Sequence, residues 1–545
     1  MNAGTPIAFF ALSPMLVVFG TAVLSVLVEA FAPVAARYRA QLWLSLIGLA
    51  AGLVMVLIVA RSHVNGGVTA DATMSGAVVV DGPTLFLQGT IVVISMAAVA
   101  FMGERRLDRV WAPAQVARSG HGGTSVTVPG GEASDADLVA DAFAPIASTI
   151  PGSAEELAAG RAGAITTEVF PLTLLAVGGM MVFPACGDLL TMFVALEVLS
   201  LPLYLLCGIA RRRRLLSQEA ALKYFLLGAF SSAIFLFGAA FAYGATGSLN
   251  LRTIGATVTE HGEHTLPLLA LALLSVGLLF KVGAVPFGSW VPDVYQGAPT
   301  PVTAFMASAT KVAAFGALLR VLYVGFPGLH ETWKPLIWAV AIATMVIATL
   351  MAVTQSDVKR MLAYSSVSHV GFLLIGVAAF GDAGATATLV YLALYALSSF
   401  GSFAVLSVVR DDDGREYSDL TGWAGLGRRS PVVGAIVSIF LLALAGIPLT
   451  SGFIAKFAVF NAAGQAGGWA LILVGVLCSA VAAYFYLRVI VSMFSTDAID
   501  DAPAVPNPSL LTKIPVGVCA VATVVLGIVP QPLISLAESA SHFLR

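Results

Sequence analysis

Long apolar runs, separated by short polar clusters, recur along the whole chain. A bilayer core needs about 20 apolar residues per helix, and about fourteen runs of that kind can be placed. Their approximate limits are 8–31, 41–60, 83–102, 168–186, 188–210, 217–246, 266–291, 299–326, 335–353, 360–381, 385–409, 430–459, 467–493 and 512–536. The pattern predicts an all-α polytopic membrane protein. One segment departs from it. Residues 103–166 are rich in Gly, Ala, Ser and Asp and poor in large apolar groups. Such a stretch buries too little surface to offset chain entropy. It is expected to be a flexible hydrophilic insertion on the cytoplasmic side, where it could also dock on a partner.

Lys and Arg concentrate in alternate connections. The odd-numbered loops carry Arg37 and Arg39, Arg105, Arg106 and Arg109, Arg211 to Arg214, Lys359 and Arg360, and Arg410, Arg415, Arg428 and Arg429. The even-numbered loops hold little beyond Arg61, Arg252 and Lys334. Positive residues favour the cytoplasmic side. The odd loops are therefore expected in the cytoplasm, with both termini outside. No Lys or Arg precedes Arg37, so the first run lacks the positive leader of a cleaved signal peptide. It is expected to be a retained span.

Composition sharpens this reading. The 545 residues are 58% hydrophobic and 11% charged, with mean hydropathy +0.93. Soluble domains carry about 25% charged residues. A formal net charge of −2 gives no reason to expect a nucleic-acid partner. Cys186, Cys207, Cys478 and Cys519 are far apart in apolar runs. They read as small buried hydrophobes, so no disulfide framework, zinc site or iron–sulfur cluster is expected.

Two runs echo one another. LLFKVGAVPFGSW at 278–290 resembles LLALAGIPLTSGF at 441–453. Each is interrupted by Gly and Pro, at Pro286 and Pro448, and each has a lysine nearby, Lys281 before and Lys456 after. Paired interrupted helices are a sign of inverted repeats around a midplane site. The repeats would be two five-helix units, 167–326 and 335–493. They would be flanked by three N-terminal helices at 1–102 and a C-terminal helix and tail at 512–545.

A charge at mid-membrane costs about 2.5–3.5 kcal/mol on insertion scales. Glu197, Lys223, Lys281, Lys311, His369 and Lys456 all lie within apolar runs. Arg320 and Arg488, near span ends, are expected to snorkel to the interface. Lys223 could do the same, and His369 could be a packing residue. Lys281 and Lys456 are harder to treat that way, because each lies beside a helix break. Glu197 sits nine residues into its run, roughly 13 Å along a helix. A proline opens a helix, and opened backbone is tolerated in a membrane where it is buried in protein or lines a wet cavity. Burial disfavours an ammonium while a nearby carboxylate favours it. A lysine poised between the two can load and release a proton. Glu197 with Lys223 is the candidate modulator and Lys281 the carrier. Lys311, His369 and Lys456 would continue the row along the membrane plane.

Those residues carry a resemblance. KVGAVPFGSWVPDVYQGAPTPVTAF (281–305) is similar to the signature of the antiporter-like membrane subunits of bacterial NADH:quinone oxidoreductase, respiratory complex I. PDVYQGAPTPV resembles the N-type branch in particular. LEVLSLPLYLL (196–206), EAALKYFLLGAFSSAIFLFG (219–238), VKRMLAYSSVSHVGFLL (358–374) and LAGIPLTSGFIAKF (444–457) resemble it too. The likeness spans roughly residues 168–495. It implies about fourteen helices, two inverted five-helix repeats, and broken helices at spans 7 and 12. It also implies proton translocation across the bacterial plasma membrane, coupled to quinone reduction in other subunits. By motif, Glu197 and Lys223 match a paired glutamate and lysine. Lys281, Lys311, His369 and Lys456 match the titratable groups of spans 7, 8, 10 and 12. K-type and M-type membrane subunits are the implied neighbours. FMN and iron–sulfur clusters are implied in partner subunits, with quinone bound elsewhere and no cofactor in this chain.

The chain departs from the pattern twice. Gly288 stands where many relatives carry a histidine, and the 103–166 insertion is not a general feature. Three other readings use the same charges. An Mrp-type cation/proton antiporter subunit is disfavoured by PDVYQGAP. A solute transporter would need substrate-shaped polar groups at the breaks. An inert spacer would hold its charges in internal pairs. No G-x-G-x-x-G follows a strand-like run, so no redox or metal-bound catalytic residue is expected here.

Overall fold

A computed structural model of the chain describes residues 8–64, 72–105, 107, 142–143, 166–210, 214–261, 265–411, 415–499 and 502–544. The expected 103–166 insertion lies almost wholly outside the described residues, as do Arg106, Arg109 and Arg211 to Arg213.

Twelve helices among the described residues are long and apolar enough to cross a membrane. Val169–Ala185 and Pro431–Ala445 are shorter apolar helices. Every expected run falls on one of these, the two short ones lying at the fourth and twelfth runs. The protein is an all-α polytopic membrane protein. Helix starts follow capping chemistry. Asp81, Asp188 and Asp357 each accept a backbone N–H three residues on, from Thr84, Thr191 and Arg360. These bonds satisfy donors that the first turn leaves free.

Two helices fall outside the apolar pattern. Leu251–His261 is too short and polar to span, yet Leu251, Ile254 and Val258 are buried along one face. The Asn250 side chain caps it, accepting from Arg252 N at 3.0 Å and Thr253 N at 3.3 Å. Gln531–Ser539 follows the last span. A minimal antiparallel pair, Ala72–Thr73 with Val78–Val79, precedes the third span.

The connections sort to two ends. At one end Val78 bridges Cys186 and Asp188 bridges Asn250. The C-terminal segment lies there too, with Leu544 N on Asp81 Oδ2 at 3.1 Å. At the other end Asp357 bridges Asp419 and Arg410 bridges Ala504. Glu104 there accepts from Ser509 N at 2.8 Å. Even-numbered and odd-numbered loops thus occupy opposite ends.

The most enclosed helices are Thr300–Gly325, Val358–Ala379 and Gly381–Leu406, buried over nearly their whole lengths. Peripheral helices such as Trp469–Ser495 turn large apolar residues outward, among them Leu473, Leu477 and Tyr484. Lys311, His369 and the tyrosines around them lie in the enclosed set. Within it, Thr300–Gly325 carries π-helical turns at Met306–Thr310 and Val321–Gly325. The first ends directly before Lys311, and such turns often mark functional positions.

Candidate functional site

The interruptions occur where expected but begin at glycine, not at proline. Thr265–Val282 stops before Gly283, and the next helix is Trp290–Gly297. Pro431–Ala445 stops before Gly446, and Ser451–Gln465 follows. Gly283 has φ +84° and Gly446 φ +83°. Their hydrogen bonds match. Gly283 N reaches Leu279 O and Phe280 O, both at 3.0 Å, and Ala284 N reaches Leu279 O at 2.9 Å. Gly446 N reaches Leu442 O at 3.0 Å and Ala443 O at 2.9 Å, and Ile447 N reaches Leu442 O at 3.1 Å. Both are Schellman-type ends, which need a left-handed residue that glycine supplies without strain. Pro286 and Pro448 sit inside the gaps already opened.

Each gap presents the negative end of a half-helix, and each holds a buried lysine there. Lys281 is in the last turn of its own half. Its Nζ donates to Ser200 Oγ at 2.7 Å and Tyr224 Oη at 3.0 Å. Tyr224 stacks on Trp290 with centroids 4.6 Å apart, and Trp290 Nε1 donates to Phe280 O at 3.1 Å. Val285 N finds Thr344 Oγ1 at 3.0 Å. Lys456 comes from the opposite half and reaches back. Its Nζ donates to Ala445 O and to Ser479 Oγ, both at 2.7 Å. It lies 4.8 Å above the Phe372 ring.

Lys311 and His369 meet through a tyrosine. Lys311 Nζ donates to Ser366 O at 2.6 Å, and Tyr395 Oη donates to Ser366 Oγ at 2.8 Å. The Tyr395 ring is 5.1 Å from that of His369. His369 Nδ1 pairs with Tyr391 Oη at 2.7 Å. The Phe372 ring neighbours both His369, with centroids 6.0 Å apart, and Lys456. Among the described residues no hydrogen bond joins Lys281 directly to Lys311.

The expected Glu197–Lys223 pair is not formed. Lys223 Nζ binds Asp293 Oδ2 at 2.8 Å and Glu219 Oε1 at 2.7 Å. Glu197 Oε1 is buried and has no hydrogen-bond partner among the described residues. Asp293 is near enough because Trp290–Gly297 packs against the Arg214–Thr246 helix. Its other oxygen takes Arg360 Nη1 at 2.9 Å. Glu197 still belongs to the first cluster, since Ser200, one turn further on, holds Lys281.

Arg320 binds buried partners, whereas Arg488 reaches carbonyls at a span end. Arg320 is fully buried, with Nη2 on Asp81 Oδ1 at 2.7 Å and on Thr84 Oγ1 at 2.8 Å, and Nε on Pro184 O at 2.6 Å. These partners hold the guanidinium inside the protein near the end of the bundle where Asp81 caps its helix. Arg488 Nη1 caps the end of His330–Val353 on Val353 O at 3.2 Å, and Nη2 meets Gln355 O at 2.5 Å.

Sequence reasoning also passed over Asp293, Arg360, Tyr224, Tyr391 and Tyr395. Asp293 was visible as the one acid in the interrupted segment, but spacing does not say which cations it meets. Gly288 lies tight against the first gap. A Cβ there would overlap the Gly283 carbonyl oxygen. Among the described residues no three His, Cys, Asp or Glu side chains stand together as a metal site would require.

Similarity to known proteins agrees with this architecture. A family profile described as NADH:quinone oxidoreductase/Mrp antiporter, TM, matches residues 186–482. NADH-quinone oxidoreductase subunit N of Mycobacterium tuberculosis strain H37Rv is 57% identical, with 99% of each chain covered. The subunit of that name from Rhodococcus opacus strain B4 is also 57% identical, over 99% of this chain and 97% of its own. A chain of respiratory complex I from Thermus thermophilus with bound aureothin is 31% identical, with TM-score 0.73 over 96% of this chain and 99% of that one. A chain of the Mrp complex from Dietzia sp. shares the fold at TM-score 0.76 and 23% identity. By full-length identity and by its two interrupted helices, the chain belongs to the NADH-quinone oxidoreductase subunit N family.

Proposed function

We propose that this chain moves protons across the bacterial plasma membrane as an antiporter-like membrane-arm subunit, driven by NADH oxidation and quinone reduction in other subunits. The observation that carries this is the matched pair of gaps, each holding a buried lysine at the negative end of a half-helix. A fixed partial negative charge stabilises the ammonium while burial opposes it. Among the described residues Lys281 bonds to two hydroxyls, those of Ser200 and Tyr224, and Lys456 to a carbonyl and a hydroxyl. Neutral partners leave the net charge of each site free to change when a proton arrives or leaves. Glu197 sets the field at Lys281. Lys311, Tyr395 and His369 carry the relay across the enclosed helices to Lys456.

On this reading residues 167–326 and 335–493 are the two repeats, with gaps at spans 7 and 12. Both termini face outward, and the odd-numbered loops face the cytoplasm. FMN, iron–sulfur clusters and the quinone site belong to other subunits, with K-type and M-type membrane subunits as neighbours. The test is Lys281→Ala in the whole complex, with assembly checked on native gels. NADH-driven electron transfer and the proton gradient are recorded together. Severe loss of both in an assembled complex supports an obligatory carrier. Wild-type values for both refute it.

A further inference from the structure

We propose that Asp293 is a second docking site for Lys223, so that this lysine alternates between Asp293 and Glu197 during turnover; the proposal rests on the proton-translocating reading above. Two observations converge. Lys223 bridges two helices through Asp293, at 2.8 Å, on the far half of the interrupted span. Glu197 Oε1, buried on the neighbouring helix, has no hydrogen-bond partner among the described residues. A buried acceptor without a hydrogen bond is costly, and it favours any conformation that brings a donor to it.

Asp293 is also built to let the lysine go. Its two oxygens hold different cations, Lys223 on Oδ2 and Arg360 Nη1 on Oδ1. If Lys223 leaves, the carboxylate keeps a charged partner. Arg360 is itself fixed by Gln296 Oε1 at 2.8 Å. Lys223 meanwhile has Glu219 one turn back on its own helix at 2.7 Å, a contact that travels with it. The Lys223 side chain is 40% exposed, so it is not locked in a packed core.

The two positions differ in what they do to Lys281. Lys223 at Asp293 leaves the Glu197 carboxylate uncompensated beside the Lys281–Ser200 contact. Lys223 at Glu197 neutralises that carboxylate, and Lys281 loses the charge that holds its proton. Asp293 is thus a positioning residue that acts through Lys223 and links the far half of the broken helix to the carrier. Coupling of this sort needs an element with two discrete arrangements that both sites bias. A lysine shared between the Asp293 and Glu197 carboxylates would supply one.

The experiment uses the whole complex in native membranes, with assembly quantified and turnover expressed per assembled complex. The variants are Asp293→Asn, Asp293→Glu, Glu197→Gln and the double Glu197→Gln/Asp293→Asn. Asp293→Asn is expected to slow NADH-driven proton translocation about tenfold, the rate equivalent of one lost charge-assisted hydrogen bond. Asp293→Glu restores most of it. The double variant is no slower than the slower single, because both remove an end of one traverse. Wild-type turnover in assembled Asp293→Asn, or strictly additive losses in the double, overturns the proposal. If Asp293→Asn fails to assemble, Arg360→Gln serves instead. It leaves Lys223 as the sole cation on Asp293, and slower turnover is expected; wild-type turnover there also overturns the proposal. Lys281→Ala in the same membranes separates the two readings. If it pumps normally the proton-carrying reading fails, whereas a normal Asp293→Asn beside a dead Lys281→Ala removes only the second docking site.

Discussion

Lys456 Nζ donates to the Ala445 carbonyl at 2.7 Å, reaching back across the interruption in its own span. The lysine therefore caps the half-helix it does not belong to. Lys456→Met removes that cap and the charge, and among the described residues leaves Ala445 O the long 3.3 Å contact from Ser479 Oγ. Loss of a hydrogen bond from a charged donor costs about 1.5–3 kcal/mol. The expected result is a lower thermal midpoint for the complex and a collapsed proton gradient under NADH. Dye-quenching in inverted vesicles measures the gradient. An undiminished gradient would make Lys456 a structural cap alone.

Gly446→Ala tests whether the position of that ammonium matters as well as its presence. Gly446 has φ +83°, and an added Cβ would lie 2.8 Å from Lys456 Cδ and 3.1 Å from its Nζ. The left-handed conformation costs an L-residue about 1–2 kcal/mol. Gly381→Ala is the matched control, with φ +69° and nothing within 4 Å of the added carbon. Both variants should lose similar stability in thermal denaturation. Only Gly446→Ala should also lose proton translocation, because only it displaces a lysine. Equal translocation in the two would show that Lys456 tolerates displacement.

The membrane spans were legible because hydrocarbon thickness imposes their length on the chain. The first expected run, 8–31, lies on Phe9–Phe31, and the tenth, 360–381, on Val358–Ala379. The broken helices were legible from Gly and Pro inside apolar sequence, although the prolines drew attention from the glycines that make the turns. Long-range pairing was not legible. Arg320 meets Asp81 from 239 residues away, and Lys223 meets Asp293 from 70. Apolar periodicity says that a buried charge needs a partner and is silent on which one.

Gly288→His introduces the histidine that the family resemblance leads one to expect after Pro-Phe. It is not expected to restore a relay step here. The added Cβ meets backbone, the Gly283 carbonyl oxygen, and not the flexible end of a side chain. The gap must deform, and Lys281, two residues before Gly283, shifts with it. Native gels should show less assembled complex, with turnover per complex below wild type. Full assembly with raised turnover would mean that the gap has room that the glycine leaves unused.

The Asp81–Arg320 pair sets the last expectation. Both side chains are 1% exposed and 2.7 Å apart. Removing one partner of a buried pair leaves an uncompensated charge and costs about 3–5 kcal/mol. Arg320→Met should therefore reduce assembly sharply. Arg320→Met with Asp81→Leu removes both charges, although leucine is larger than aspartate, and apolar replacement of both partners often recovers much of such a loss. Recovery here should be incomplete, because Asp81 does two further jobs. It caps the Gly82–Met102 helix through Thr84 N at 3.2 Å, and it holds the C-terminal segment through Leu544 N at 3.1 Å. A lost N-cap alone costs about 1 kcal/mol. The order expected in thermal denaturation is wild type, then the double variant, then Arg320→Met. A double variant no better than the single would mean that Asp81 acts mainly as cap and anchor, and that its charge matters little to Arg320.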